Sequence, residues 1–353
     1  IEEGVGLKRH LFRTLAGLLI LSLLLGHAAK IYSFDMVSRL DAILYDARLR
    51  LTMPNTKDDR VIILDIDEKS LMEIGRWPWN RERMSALLDT LFDHYGVRVL
   101  GFDVVFAEPD DSSGLKSLQS LAGKELKKEA GFQSALGRLK PRLDYDARFA
   151  QALKGRPVIL GYYMLSKSDW PSSGAIPPPV LPGAALAGGD AAIPHWQTYG
   201  GNLPQFQHHA AGGGHFNPLV DFDGIVRRVP MLVEYQGGYY ESLSLAVLRA
   251  YLGFPEVVPG FPAGAGASDL EWLDLEAPRG LLRVPVDEGA SALIPYRGKE
   301  GSFIYYSLAD VLAERVPVEQ LRGRIALVGA TAAGLKDLRA TPVGEVFPGV
   351  EVH

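Results

Sequence analysis

Between Thr14 and Ala29 the chain runs 16 residues without a charge, and leucine dominates (Leu15, Leu18, Leu19, Leu21, Leu23, Leu24, Leu25). A helix this apolar has to be covered on every side, by protein or by lipid. At about 1.5 Å per residue the run spans roughly 24 Å, against a hydrocarbon core of roughly 30 Å. Leu11, Phe12 and Ile31 extend its apolar length, and Arg13 and Lys30 can snorkel to the two interfaces. One spanning helix over residues 11–31 is therefore expected, with the lipid bilayer as its partner. Lys8, Arg9 and Arg13 favour a cytoplasmic segment at 1–10 and place residues 32–353 outside the cytoplasm. Gly26-His-Ala28 would also fit a signal-peptidase site. The retained anchor is the expectation, over a removed leader and over a buried core helix.

The remainder is ordinary in composition: 353 residues in all, 47% hydrophobic and 22% charged, enough for a substantial core. A net charge of −5 supplies no basic field for phosphates, so nucleic acid is not expected as a partner. The absence of cysteine removes disulfides, thiolate catalysis and Cys-based zinc sites without fixing the compartment. The chain opens on Ile1 and closes on His353 inside a motif-like run, so a longer polypeptide is expected.

Val37, Leu40, Leu44, Ala47 and Leu51 recur at spacings of three and four, which marks one face of a helix. That face either lies on the domain or continues the membrane helix as a dimer seam. Val61-Ile-Ile-Leu-Asp-Ile66 reads as a buried parallel strand. A helix over 81–95 follows, with Asn80 as N-cap and Gly96 as stop, and then a strand over 97–103. This β-α-β unit predicts a parallel first pair. Residues 111–143 are charged and read as a solvated helical excursion. Further helices are expected over 145–153, 242–252 and 308–314. Strands are expected over 157–161, 226–235, 239–240, 270–275, 281–286, 292–296 and 325–329, with Gly237-Gly238 marking a hairpin. Long Pro/Gly loops are expected at 171–189 and 255–268. The fold class is α/β: a mixed, largely parallel sheet flanked by helices and preceded by a transmembrane helix.

Several motifs invite chemistry. Gly329-Ala-Thr-Ala-Ala-Gly334 follows a strand as a phosphate loop would, but Leu335 intervenes, Lys336 is displaced, and Asp337 stands where the metal-binding hydroxyl belongs. A tight turn at a strand's carboxyl end is the better reading. Leu64-Asp-Ile-Asp67 resembles the nucleophile motif of haloacid-dehalogenase-like phosphatases. The plainer alternative has Asp67 capping a helix from Glu68 and Asp65 pairing with a buried arginine. Asp221-Phe-Asp-Gly224 lacks the carboxylate at its twelfth position that an EF-type loop needs, and reads as a turn opening the strand with Arg227 and Arg228. His208, His209 and His215 lie in what reads as a Gly-rich loop without a carboxylate partner, so no metal is expected. Arg76-Trp-Pro-Trp-Asn-Arg81 is either a rigid ligand-facing surface or a structural plug.

In order, these pieces resemble the CHASE domain of type 2, an extracytoplasmic sensor associated with cyclases and histidine kinases. The likeness runs from about residue 34 to the end. It is carried by Leu40-Asp-Ala-Ile-Leu-Tyr-Asp46, Ile63-Leu-Asp-Ile-Asp-Glu-Lys-Ser-Leu71, Gly75-Arg-Trp-Pro-Trp79 and Gly101-Phe-Asp-Val-Val-Phe-Ala-Glu-Pro-Asp110. It continues through Gly214-His-Phe-Asn-Pro218, Asp221-Phe-Asp-Gly224 with Arg227-Arg-Val-Pro230, and Val328-Gly-Ala-Thr331 to Pro348-Gly-Val-Glu-Val-His353. The resemblance implies a sensor on the periplasmic side of a bacterial inner membrane. Its output would be a cytoplasmic adenylate or guanylate cyclase, a histidine kinase or another kinase. A homodimer is expected, with a small ligand or a periplasmic partner protein as the stimulus. The excursion at 111–143 is longer than the pattern and could read a partner protein. No catalytic residue, metal or cofactor is expected. Candidate ligand-binding residues follow from position: Asp65, Asp67, Asp103, Thr331 and Asp337 at carboxyl ends of parallel strands, where open sheets form their crevice, with Arg76, Trp77 and Trp79 walling it.

Overall fold

The structure, a computed structural model, describes residues 2–29, 31–32, 34–166, 170–186, 192–262, 270–278, 280–335 and 337–353, with side chains from His10 onward. The roles expected of Lys8, Arg9, Lys30 and Lys336 lie outside the described residues, as do parts of the two Pro/Gly loops. The chain divides into two units, Ile1–Met53 and Pro54–His353.

The first unit is two helices, α1 (Glu2–Ala28) and α2 (Asp35–Thr52). Within α1, His10–Ala28 is a 19-residue span of mean hydropathy 1.7, long and apolar enough to cross a membrane. Leu15, Leu19, Leu21 and Leu25 are all exposed, so this is not the core helix of a soluble domain. Its end is tied down locally. The Tyr32 hydroxyl donates to the Leu23 carbonyl at 2.7 Å, and the Phe34 amide donates to His27 Nδ1 at 3.1 Å. Gly26 makes room for the Tyr32 ring, since a Cβ there would lie 2.2 Å from its hydroxyl. Helix α2 buries none of its side chains, and Leu40, Leu44 and Leu51 stand exposed on it.

The second unit is built on a central sheet: β1 (Asp58–Ile66), β2 (Val99–Phe102), β3 (Val158–Leu165), β4 (Thr198–Gly200), β5 (Gly212–His215), β6 (Phe303–Ser307) and β7 (Ile325–Ala330). The order runs β6-β1-β7-β2-β3, all parallel. β5 pairs in parallel with the first half of β3, and β4 antiparallel with its second half. The expected parallel relation of the first two strands holds, but they are not neighbours. β7 lies between them, with Leu64 opposite Val328 and Val328 opposite Phe102.

Side-chain alternation sends Ile62, Leu64 and Ile66 to one face and Ile63 to the other. The first face packs under α3 (Glu68–Ile74), α4 (Arg81–Asp89) with its continuation Thr90–Tyr95, and further short helices. Between α4 and the next strand helix, α5 (Leu115–Gly123) and α6 (Ala130–Leu143) form the excursion and bury no residue. α7 (Tyr145–Leu153) returns to the core through Phe149 and Leu153. The opposite face is covered by α8 (Leu243–Leu252). α9 (Leu308–Leu312) packs on the first face, and α10 (Gly349–Val352) lays Val350 on the second. The helix over 81–95 starts on the Asn80 side chain, which accepts the Arg83 amide at 2.9 Å, and stops at Gly96 with φ 68°. Its last turn is π-helical rather than α-helical.

Smaller sheets hang beside this core. The expected strand 226–235 is two strands, Val226–Pro230 and Leu232–Tyr235, which break at Met231 and enter different sheets. Its hairpin turns at Gln236 and Gly237, with φ 49° and 75°, one residue earlier than Gly237-Gly238. Gly212–His215 is not loop but strand. Glycine is required there because a Cβ on Gly214 would lie 2.5 Å from the Leu243 backbone.

Gly161 on β3 and Gly137 on α6 separate packing from chain entropy. A Cβ at Gly161 would lie 2.4 Å from the Phe102 carbonyl oxygen, whereas one at Gly137 meets nothing within 4 Å. Gly161→Ala is expected to destabilise by about 1–3 kcal/mol and Gly137→Ala to stabilise by about 0.5–1 kcal/mol. Denaturant unfolding followed by tryptophan fluorescence measures both.

Candidate functional site

Two polar clusters form at carboxyl ends of the parallel strands. In the first, Asp65 at the end of β1 is 7% exposed. Its Oδ1 accepts the Thr331 amide at 3.0 Å and its Oδ2 accepts the Thr331 hydroxyl at 2.6 Å. Burial pushes the Asp65 carboxyl upward, while both Thr331 donors pull the other way. The expected arginine partner of Asp65 is replaced by this threonine. Asp67 caps α3 as read, accepting the Ser70 amide at 2.8 Å, and also accepts from the Ser307 hydroxyl at 2.8 Å. Ser70 Oγ lies 3.0 Å from Ser307 Oγ and accepts the Ala309 amide, which fastens β6 and α9 to α3. Lys69 is held by Asp310 at 2.7 Å.

The glycine-rich turn after β7 is therefore fastened by carboxylates. Asp65 takes the Thr331 amide, and Glu68 takes the Ala333 amide at 2.9 Å. Amides that would cradle a phosphate are already donating to acids. A nucleophilic Asp65 would need a free oxygen facing open space. Both oxygens are engaged by Thr331.

The second cluster gathers Asp103, Asp337, Arg339, His353 and His215. Asp103 follows β2 and Asp337 ion-pairs with Arg339 at 2.7 Å. His353 Nε2 lies 3.7 Å from Asp103 Oδ1, both side chains nearly inaccessible. Desolvation, reinforced by the Asp337 charge, pushes Asp103 up to about 7. Desolvation and then the Arg339 charge take His353 down to about 4. His215, 0% exposed with neither ring nitrogen hydrogen-bonded among the described residues, is taken down to about 3 by desolvation and by His353. At their separation Asp103 and His353 look like an ion pair. In so dry a site the neutral acid facing a neutral imidazole is the favoured state between pH 4 and 7. The enclosed space here is about 10 Å³, no more than one water.

The eight candidate residues therefore fall into three places. Asp65, Asp67 and Thr331 meet, and Asp103 and Asp337 meet. Trp77 and Trp79 instead pack edge-to-face at 5.2 Å against the core, with Trp79 Nε1 donating to the Gly75 carbonyl at 2.8 Å. They plug the domain rather than wall a crevice, and Arg76 is exposed. The motif's other arginine is the buried one. Arg81 lies 4.7 Å over the Phe106 ring and donates to the Glu108 carbonyl at 3.1 Å. Arg227 is clasped by Asp221 and Asp223, each at 2.8 Å, which is the turn expected of Asp221-Phe-Asp-Gly224. His208 and His209 end a short helix, Pro204–His209, apart from the strand carrying His215, and the described residues hold no metal-binding group of three.

The CHASE2 domain family matches residues 15–353, nearly the whole chain. The chain belongs to the CHASE2 family. CHASE2 domains are extracytoplasmic sensory domains, which agrees with the apolar α1 ahead of the body. No curated protein and no solved structure matches the chain. In this CHASE2 domain, the sequence reading weighed His215 only as a metal ligand and passed over His353 and Arg339 as site residues. The signal available was the Gly214-His-Phe-Asn-Pro218 motif itself, whose glycines are the mark of close backbone packing rather than of a loop.

The signs of the titrations predict a pH effect. Asp103 binds its proton more tightly folded than unfolded, so its contribution falls as pH rises from about 4 to about 7. His215 and His353 bind theirs less tightly folded, so their contribution is lost as pH falls below 6.5. Asp103→Asn removes only the first slope. Its melting temperature relative to wild type is expected to be more favourable at pH 8 than at pH 5, read by thermal unfolding at the two values.

Proposed function

We propose that this chain is the sensory input of a single-chain transmembrane receptor. Helix α1 anchors it in a bacterial inner membrane, and the body from Pro54 onward lies in the periplasm. One observation carries the reading: an exposed 19-residue apolar span, His10–Ala28, opens a chain that matches the CHASE2 family over residues 15–353. The output it regulates is a cytoplasmic adenylate or guanylate cyclase, with a histidine kinase or other kinase as the alternative. Binding outside acts by favouring one of two arrangements of the membrane helices, which requires different affinities for the two states. The receptor works as a homodimer, with the Leu40, Leu44 and Leu51 stripe of α2 as the seam that continues from the membrane.

An alkaline phosphatase fused after His353 is expected to be active in cells and to sediment with membranes. Leu19→Arg combined with Leu23→Arg costs about 2.5–3.5 kcal/mol per arginine at the helix centre and should release the anchor. An inactive fusion recovered from the cytosol overturns the topology. Because the chain has no cysteine, the seam can be tested by single substitutions. Leu44→Cys is expected to give a disulfide-linked dimer under mild oxidation, and Asp46→Cys far less of it.

A further inference from the structure

Beside the second strand-end cluster, with which it shares His353, a cavity of about 350 Å³ opens between the start of β1, the segment Ile294–Arg297, the start of β6 and α10. That volume lies within the range of small-molecule sites, which are mostly apolar with a few placed polar groups. The lining follows that pattern: Ile294, Tyr296, Phe303 and Phe347 supply an apolar wall. Three charged side chains also line it. Asp58 is already satisfied, since Arg60 pairs with it at 2.7 Å and Arg297 approaches to 3.7 Å. Arg297 also donates to the Thr56 hydroxyl at 2.9 Å.

Glu351 differs. It is 5% exposed, and its Oε1 accepts the Gly301 amide at 2.7 Å and the Tyr305 hydroxyl at 2.5 Å. Its Oε2 is buried without a close hydrogen-bond partner or a paired cation among the described residues; burial pushes the carboxyl upward, while the Tyr305 hydroxyl and the Gly301 and Ser302 amides pull the other way. A buried carboxylate oxygen left unpaired costs free energy that a bound donor would return. His353 Nδ1, on the same wall, is likewise unpartnered.

We propose that this cavity is the ligand site of the sensor, and that it takes a small molecule with an apolar body and one amine, the amine pairing with Glu351. The body rests on Tyr296, Phe303 and Phe347. Calling the occupant a stimulus rests on the sensor reading above; its binding rests on the cavity alone. A second apolar hollow of about 170 Å³ shares Ile294, Pro295, Val352 and His353 with the first, so the apolar body has room to extend.

The test uses the full chain in nanodiscs of zwitterionic lipid, with empty nanodiscs as control. Benzylamine is the probe and phenylacetate its anionic counterpart, with binding followed by saturation-transfer NMR. Benzylamine is expected to bind saturably and at least about tenfold more tightly than phenylacetate, as a charge-assisted pair at a buried oxygen requires. Glu351→Gln should weaken benzylamine by about tenfold and leave phenylacetate no weaker. Because Glu351 also holds Gly301 and Tyr305, Ile294→Trp serves as a second variant. Ile294 is only half-buried, and the larger ring fills the cavity and should abolish benzylamine binding in a folded chain. Equal affinity for the two probes overturns the proposal, as does unchanged benzylamine affinity in both variants. A periplasmic body that fails to bind benzylamine removes this site and keeps the sensor reading. Saturable binding by a chain whose phosphatase fusion is cytosolic keeps the site and removes the sensor reading.

Discussion

The pairing of β7 between β1 and β2 is the contact on which the rest of the body depends. Three parallel strands drawn from the beginning and the end of the sequence hydrogen-bond side by side, Leu64 to Val328 and Val328 to Phe102. The core therefore cannot close until the C-terminal part of the chain has docked. Every excursion between β2 and β7, including α5 and α6 and the three-stranded antiparallel sheets, is an insertion that this pairing has to tolerate. Long insertions cost little in loop closure once the strands they connect are held. A pair of solvated helices that bury no residue can then persist beside a dense core.

The same insertion explains why both polar clusters draw on distant parts of the sequence. Placing β7 beside β1 brings the amide and hydroxyl of Thr331 onto Asp65. The turn after β7 then carries Asp337 toward Asp103, and the chain returns through α10 to set His353 there. Glycine permits the return. A Cβ on Gly329 would lie 2.4 Å from Val350, and one on Gly349 would lie 2.0 Å from the Asp337 carboxylate. These two positions let α10 lie close against β7 and the turn that follows it.

What was legible in the sequence follows from this geometry. Local signals read well: Asn80 and Gly96 bracket a helix, Asp67 caps α3, and Asp221-Phe-Asp-Gly224 is a turn closed on Arg227. The apolar run of β1 and the last strand announced a parallel sheet, and Thr331 with Asp65 was placed at its carboxyl edge. Strand order was not legible, because adjacency between β1 and β7 leaves no trace in the spacing of either. The edge strand β6 was missed because its five residues are all only half-buried and show no alternation. His215 of the second polar cluster was misplaced for a sharper reason. A run of glycines satisfies both a loop and a strand pressed against a helix backbone, and only the tertiary contact with Leu243 separates them.

Helix α10 is a single turn, and a helix that short has no stability of its own in water. Its position is set by what surrounds it: Val350 on Gly329, Gly349 against Asp337, Glu351 on Tyr305 and Gly301, and His353 beside Asp103. Two of these contacts are incompletely satisfied, at Glu351 Oε2 and His353 Nδ1. A group that binds at either atom changes the balance holding the turn, whereas a group bound at Asp65 meets an acid already saturated by Thr331. The strand-end crevice at Asp65 is thus built for rigidity. The short turn at the other polar cluster keeps the unpartnered atoms that the proposed ligand would engage.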